Sequence, residues 1–259
     1  MIGLIGTVFN YGIGGNLMRV ILEFEVEENK LPSDYRRLIV SWLKNLLTKV
    51  NKGKYYDKYY DNTKQKPYTF SVIFRNPIFK EDSIYFEGKT IKVLFSMLDQ
   101  KMEGYIMNMA FLQMRNVTFN LPNGNFMKLI NVNKIKESIV TKDRAMFRTA
   151  PGGVVLVKEH NRETNKDKFY TVEDENYEEK LTEYLKNQCE MAGFNLEEVE
   201  EITVNSVEGK KVVVRNYDVL IDGVVGYFDI SAPTYILQYF STLGLGGKRS
   251  LGFGTVNLV

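Results

Sequence analysis

The chain has 259 residues, 44% of them hydrophobic and 25% charged, which is the composition of a folded globular protein. Its formal net charge of +2 gives no global basic signal, so any nucleic-acid surface must come from local clusters of cations. The single cysteine, Cys189, excludes an internal disulfide, and with only one histidine, His160, a metal site or a Ser-His-Asp triad is poorly supported. We therefore predict no bound metal and no cofactor, and a reducing, cytoplasmic compartment.

The chain opens with an apolar stretch, residues 1–17, which lacks the basic start and the cleavage site of a signal peptide. We interpret it as an N-terminal extension, with the fold beginning at Met18. Residues 18–26 predict an opening strand. A helix start with Ser33 or Asp34 as cap follows, and apolar residues then recur at helical spacing down to Val50.

Residues 52–68 contain five tyrosines and five lysines within seventeen positions. Aromatic rings interleaved with cations suit stacking on unpaired bases combined with attraction of phosphates, and on this basis Tyr59 and Lys64 are candidate RNA-binding residues. Tyr56, Tyr59 and Tyr60 equally fit one face of a short helix packed on a sheet. The sequence leaves both interpretations open.

The remainder of the first domain, residues 18–125, alternates strands and a helix. Residues 68–74 predict a strand, and residues 83–86 are expected to pair with residues 90–97 as a hairpin. A helix over residues 99–114 and a strand over 117–121 complete the order β-α-β-β-α-β, which is the ferredoxin-like or RRM-like topology.

A second domain, residues 126–259, repeats this logic. We expect its first strand at residues 133–140, a helix at 176–192, and hairpins through Glu208-Gly209 and Asp222-Gly223. A last helix, residues 233–243, precedes a short terminal strand. The predicted fold class is α+β, with two ferredoxin-like βαββαβ halves packed side by side.

Between the last helix and the last strand lies a glycine-rich loop, residues 244–254. Glycines permit positive φ and close backbone approach, so consecutive amides can point into one concavity where neighbouring cations help to hold a phosphate. The order helix, loop, strand and the absence of a G-x-x-x-x-G-K-[ST] run argue against a nucleotide cofactor. The candidate RNA-binding residues of the loop are Gly244, Gly246, Gly247, Lys248, Arg249, Ser250, Gly252 and Gly254.

This loop resembles the C-terminal glycine-rich motif of the CRISPR repeat-processing endoribonucleases, the sixth Cas family. The opening strand, the Leu-Pro-x-x-Tyr segment ending at Tyr35 and the amphipathic helix after it are also similar to the start of that family. The resemblance implies binding of CRISPR repeat RNA and metal-free cleavage of the precursor crRNA. In that reaction the 2′-hydroxyl attacks the adjacent phosphate and leaves a 2′,3′-cyclic phosphate and a 5′-hydroxyl.

The resemblance also suggests catalytic residues. Matching residues 66–71 to the corresponding family segment puts Lys66 at the catalytic-lysine position and Tyr60 near the position of the usual histidine, with Tyr35 as a third candidate. The sequence departs from the family here, because no histidine lies in residues 1–159. Ordinary pKa values of ~10 for tyrosine and ~10.4 for lysine make both poorer bases than histidine at ~6.5. His160 lies in a polar loop away from the family's catalytic position, where a solvent-exposed role is expected.

Several alternatives remain open at this point. The missing histidine favours a catalytically inactive, repeat-RNA-binding subunit of a CRISPR effector complex as the second interpretation. A general RRM-type binder would need the aromatic RNP signature, and a metal-dependent nuclease would need paired carboxylates; the sequence has neither run. The expected partners are CRISPR repeat RNA or crRNA, with other Cas effector subunits and a homodimer as further candidates, and no membrane. Four basic residues are candidates for lining a cleft between the halves: Lys134, Lys136, Arg144 and Arg148.

Overall fold

The computed structural model of the protein describes residues 16–60, 65–99, 102–163 and 165–259. Its N-terminal part contains a five-stranded antiparallel sheet, a smaller three-stranded sheet and helices. The elements in chain order are β1 (Asn16–Val26), β2 (Lys30–Pro32), α1 (Arg36–Lys49), α2 (Lys54–Tyr60), β3 (Tyr68–Ile73), β4 (Ile78–Phe79), β5 (Ser83–Tyr85), β6 (Thr90–Asp99), α3 (Glu103–Gln113), β7 (Thr118–Asn120) and β8 (Phe126–Lys134).

The five-stranded sheet, here called the first sheet, has the strand order β3-β6-β1-β8-β7. Four of these strands with α1 and α3 form a ferredoxin-like βαββαβ unit. Two expectations were wrong in detail. The fourth strand of the unit is β8, which pairs with β1, whereas β7 is an extra edge strand. The predicted hairpin does not form either, since β5 pairs with β2 and β4 in the small sheet, while β6 pairs with β1 and β3.

Helix α1 packs its apolar face on the first sheet, as its residue spacing predicted. The indole of Trp42 is fully buried, edge-on to the ring of Phe24 in β1 at 4.8 Å between centroids and stacked on Phe111 of α3 at 5.9 Å. Such aromatic pairs add roughly 0.5–1.5 kcal/mol beyond area burial. The core of this part of the molecule therefore lies between the sheet and its helices.

The C-terminal part repeats the same topology. Its elements are β9 (Arg144–Thr149), β10 (Val157–Asn161), β11 (Lys166–Tyr170), α4 (Tyr177–Ala192), α5 (Leu196–Glu200), β12 (Thr203–Asn216), β13 (Val219–Ser231), α6 (Thr234–Leu243) and β14 (Val256–Leu258). The second sheet has the order β12-β13-β9-β14, and β10 and β11 form a separate hairpin. Two ferredoxin-like units in an α+β protein are thus confirmed.

The hairpin turns of the second sheet were predicted at the wrong places. β12 and β13 are continuous, and the turn between them lies at Tyr217 and Asp218, whose φ values are 51° and 63°. Gly209 and Gly226 instead face each other inside the ladder, where a Cβ on Gly226 would lie 2.2 Å from the Glu208 carbonyl oxygen. These glycines allow the two strands to approach each other closely, and they do not form a turn.

The pairing of β8 bears on where the chain divides. The residues of β8 fall in the predicted second domain, whose first strand was expected at 133–140, but residues 135–140 lie outside any strand. Because β8 belongs to the first sheet, we propose a boundary after Lys134 rather than after residue 125. Below, the first half denotes residues 16–134 and the second half residues 135–259.

At the N-terminus, β1 begins at Asn16, opposite Asp99, two residues before the expected start at Met18; residues 1–15 of the predicted extension lie outside the described residues. Within the described part of the chain, no helix is both long and apolar enough to cross a bilayer.

Candidate nucleic-acid interface

The glycine-rich loop, residues 244–254, is buried at the junction of the two halves. Gly246 and Gly254 have φ values of 78° and 74°, in the left-handed region. A Cβ on Gly254 would lie 2.2 Å from the Leu245 carbonyl oxygen, and one on Gly246 would lie 2.5 Å from that of Leu156. Only glycine fits these positions.

The amides of five glycines of the loop donate to acceptors within the protein. Gly244, Gly247 and Gly254 donate to backbone carbonyls at 2.8, 2.8 and 2.7 Å, and Gly246 donates to the Gln188 side chain at 3.2 Å. Gly252 donates to the carbonyl of Arg249. The hydrogen bonds of these five glycine amides hold the loop in place, and phosphate binding by the loop stays a prediction.

The two cations of the loop differ in their surroundings. Arg249 is only 7% exposed, and its guanidinium donates to the Tyr239 hydroxyl at 3.2 Å and to the Gln65 amide oxygen at 2.5 Å. Arg249 thus braces the loop from inside. Lys248 is half-buried, and its pKa is lowered by burial and by the nearby Lys158. RNA binding by Lys248 and the half-buried Ser250 remains a prediction.

First-half residues hold the loop from the other side. Arg36, at the start of α1, donates from Nε to the Gly252 carbonyl at 3.0 Å and from Nη2 to the Gly152 carbonyl at 3.1 Å. Its guanidinium lies 4.5 Å from the Phe253 ring centroid. Thr69 of β3 donates to the Phe253 carbonyl at 2.9 Å. Sequence reasoning missed Arg36, since an arginine at a helix start is usually solvated.

Two of the predicted catalytic residues meet beside a third residue that sequence reasoning missed. The Lys66 ammonium lies 5.1 Å from the Tyr60 ring centroid, and that of Lys44, on α1, lies 5.0 Å from it. The Tyr60 and Tyr68 hydroxyls are 2.8 Å apart. Burial raises the pKa of Tyr60, whereas burial and the charge of Lys44 lower the pKa of Lys66. The cluster can thus attract an anion, with a phenol and two ammonium groups close together.

The other candidates from this part of the sequence are placed differently. Tyr35 is buried edge-on to Phe74 at 4.9 Å, and within the described residues it makes no ring or hydrogen-bond contact with Tyr60 or Lys66. Tyr59 is buried in the first-half core, and burial together with Glu103 raises its pKa. For Tyr59 this favours the helix-packing interpretation over base stacking. Lys64 lies outside the described residues.

The turn of the β12–β13 hairpin reaches the first half next to this cluster. The Tyr217 amide donates to the Asp34 carboxylate at 2.9 Å, and the Arg37 guanidinium lies 4.8 Å from the Tyr217 ring centroid. Burial is the main cause that raises the pKa of Asp34. Behind burial, Tyr217 also contributes to the raised pKa of Tyr60, so the hairpin turn comes near the candidate site.

His160 lies elsewhere, exposed on the β10–β11 hairpin. Its Nδ1 is 2.8 Å from the Asp167 carboxylate, which also pairs with Lys158 at 2.8 Å. These two partners lower the pKa of Asp167. Among the described residues, no cluster of three or more His, Cys, Asp or Glu side chains is arranged to hold a metal ion.

The fold and the buried loop place the protein in a structural class with solved members. A structure described as an RAMP protein binding different RNA substrates matches with a TM-score of 0.75 at 17% identity, covering 93% of this chain and 99% of that chain. The structure from the characterization of a Cas6-related gene from Pyrococcus furiosus gives 0.73 at 18%, covering 94% and 99%. One described as CRISPR associated protein Cas6 gives 0.66 at 17%, covering 94% and 100%. These likenesses establish the fold.

A sequence match adds to these structural likenesses. Residues 134–258 match the family model for CRISPR associated protein Cas6, C-terminal. Residues 134–258 therefore carry a Cas6 C-terminal domain. The match begins at Lys134, the last residue of β8, in agreement with the proposed boundary. No curated protein matches the chain in sequence.

Proposed function

We propose that this protein binds CRISPR repeat RNA and cleaves precursor crRNA as a metal-independent endoribonuclease. The attacking 2′-oxygen forms a bond to phosphorus while the bond from phosphorus to the 5′-oxygen breaks. The 2′-hydroxyl proton passes to a base, and the leaving 5′-oxygen takes up a proton. The products carry a 2′,3′-cyclic phosphate and a 5′-hydroxyl.

The observation that supports this proposal is the position of Tyr60 beside two lysines. Lys66 and Lys44 both lie about 5 Å from its ring centroid, and within the described residues neither lysine has an ion pair with a carboxylate. Ammonium groups that lack an internal anion are suited to the extra negative charge of a phosphorane. The family of the C-terminal domain and the RNA named for the RAMP structure agree with an RNA substrate.

The rate of such an enzyme would depend on positioning more than on base strength. Burial raises the pKa of Tyr60, so its phenol is protonated at neutral pH and suits the donor role towards the leaving oxygen. In-line alignment of the 2′-oxygen lowers the barrier without a strong base. We expect slow turnover compared with an enzyme that uses histidine.

A second candidate function is an inactive repeat-RNA-binding subunit of a CRISPR effector complex. The same raised pKa of Tyr60 favours it, because a buried phenol is a poor general base. Association with other Cas subunits, and a homodimer, belong with this candidate as proposals.

The test is incubation of the purified protein with its host's repeat RNA in EDTA, followed by analysis of the product ends. A single cut with a 2′,3′-cyclic phosphate supports the enzyme. Lys66→Ala and Tyr60→Phe are expected to reduce the single-turnover rate by about 10²-fold or more. Lys49→Ala, an exposed lysine at the end of α1, is the matched control and should retain the rate. Tight binding without cutting favours the inactive subunit, and absence of both contradicts the proposal.

A further inference from the structure

The two faces of the second sheet differ. In β9, Ala145 and Phe147 are buried, whereas Arg144 and Arg148 are exposed. In β13, Phe228 and Ile230 are buried in the core, whereas Tyr227 is 37% exposed. Side chains alternate between the faces of a strand, so around these residues one face of the sheet packs on the core and the other is open to solvent. Further along β13 the second face is covered, where Ile221 packs with Val154, Leu156 and Phe253.

Tyr227 and Arg148 stand opposite each other at the centre of the open face. They are register partners on the two central strands, and the Arg148 guanidinium lies 5.3 Å from the Tyr227 ring centroid. Within the described residues Arg148 has no ion pair with a carboxylate. The pair therefore offers an exposed aromatic ring and a cation whose charge is not neutralised.

The neighbouring cation on the same face is already engaged. Arg144 makes hydrogen bonds from Nε and Nη2 to the Asp229 carboxylate at 3.0 and 2.5 Å, and Asn205 donates to Asp229 at 3.2 Å. This network lowers the pKa of Asp229 and fixes that end of the face. Arg144 thus stabilises the sheet through its ion pair with Asp229, whereas the sequence suggested that it lines a cleft between the halves.

On its other side, Tyr227 is the register partner of the exposed Glu208 of β12. Cross-strand partners project from the same face, so the ring stands between a cation and a carboxylate. A carboxylate repels phosphate but accepts hydrogen bonds from the amino and imino groups of bases. The order cation, ring, carboxylate therefore matches phosphate, base plane and base edge of one nucleotide.

The open face also continues to the seam with the first half. Asn257 of β14 is the register partner of Arg148, and its side-chain oxygen accepts a hydrogen bond from Arg19 of β1 at 2.5 Å. The exposed Lys134 of β8 lies opposite Val20, the next residue along β1, and so projects from the other face of the first sheet than Arg19. The open face thus meets the first sheet at Asn257 and Arg19.

We propose that this open face binds an unpaired RNA nucleotide, with its base stacked on Tyr227, its phosphate at Arg148 and its base edge towards Glu208. The proposal rests on RNA as the ligand of the proposed function and adds a site apart from the Tyr60–Lys66 cluster. Base stacking on an aromatic side chain of a sheet contributes about 1–3 kcal/mol per base and tolerates most sequences.

The first measurement is the affinity for an unstructured oligoribonucleotide with the repeat sequence and a 2′-deoxy sugar at the cleavage site. Tyr227→Ala is expected to weaken binding about tenfold, and Tyr227→Phe, which keeps the ring, about twofold at most. Tyr105→Ala removes a tyrosine that is 56% exposed on α3, and should bind like the wild type. Equal affinity of Tyr227→Ala and the wild type would overturn the proposal.

A second measurement separates this site from the proposed cleavage. Arg148→Gln should lower the magnitude of the slope of log affinity against log salt by about one. A wild type that binds but does not cut, with the Tyr227 and Arg148 effects intact, refutes the proposed enzyme and leaves this site standing. An unchanged salt slope refutes the phosphate contact, and a wild type that binds no RNA refutes both proposals.

Discussion

Two buried arginines stabilise the contact between the glycine-rich loop and its surroundings. Arg36 and Arg249 are 4% and 7% exposed, and both direct their guanidinium groups at uncharged oxygens and aromatic rings. A guanidinium presents five donors in a fixed planar arrangement, so it can join separate carbonyls that no backbone amide reaches. The basic pair of the loop is therefore divided between an internal brace, Arg249, and the half-buried Lys248.

The first prediction concerns Arg36. Arg36→Met leaves the carbonyls of Gly252 and Gly152 without their donor, so we expect a loss of about 2–4 kcal/mol in the free energy of unfolding, measured by urea denaturation. Arg37→Met is the control, because that side chain is partly exposed and its ion pair contributes about 1 kcal/mol or less. Equal losses in the two variants would contradict the bracing role of Arg36.

The second prediction concerns the pH dependence of cleavage. Lys66 can stabilise the negative charge of a phosphorane only in its protonated, ammonium form. Burial and the charge of Lys44 lower the pKa of Lys66 from the ordinary value. The single-turnover rate should therefore fall as pH rises through this lowered pKa. Lys44→Gln removes the like charge and raises the pKa of Lys66, so the descending limb should move to higher pH. A limb that stays in place would show that Lys66 does not titrate there.

Among the elements, the glycine-rich loop depends most on its residue types. Its glycines combine left-handed φ with backbone atoms at distances that no Cβ tolerates, as at Gly254 and Gly246. The sequence indicated the glycine-rich loop, whereas the internal acceptors of its glycine amides became visible only in the structure. From one sequence, amides that bind a phosphate and amides that bind a neighbouring strand look the same.

The third prediction separates the backbone strain of a left-handed residue from the steric clash of an added Cβ. Gly254→Ala should lower the free energy of unfolding by about 3 kcal/mol or more, since left-handed strain of about 1–2 kcal/mol is joined by a clash with the Leu245 carbonyl. Gly88 has a similar φ of 78°, but a Cβ added there has nothing within 4 Å. Gly88→Ala therefore introduces only the backbone strain. Thermal or urea unfolding of both variants gives the comparison, and equal losses would rule out the clash.

For the molecule as a whole, the second half holds the first through the loop, α6 and β14. The Phe70 ring packs so closely on Gly252 that a Cβ added to Gly252 would lie 2.7 Å from the ring. Arg19 donates to the Val256 carbonyl at 2.9 Å. Thr69 adds a buried hydrogen bond to the Phe253 carbonyl. Such buried contacts couple the two cores.

The fourth prediction follows from this coupling. The single tryptophan, Trp42, lies in the first-half core, so its fluorescence reports that half, while far-UV circular dichroism reports both. We expect the two urea transitions to coincide, as in a two-state protein. A fluorescence transition at a clearly different midpoint would show that the halves unfold separately.

Local pattern was sufficient for the α+β class, for α1 and α4, and for the glycine-rich loop before a terminal strand. Periodicity and turn chemistry are carried by neighbouring residues, and the loop motif carries the resemblance to the Cas6 family. The tertiary structure decided the rest: β8 joins the first sheet, Gly209 and Gly226 oppose each other, Arg249 is internal, and Lys44 lies beside Lys66. Each of these features depends on residues that are far apart in the chain, and a single sequence does not show which distant residues come into contact.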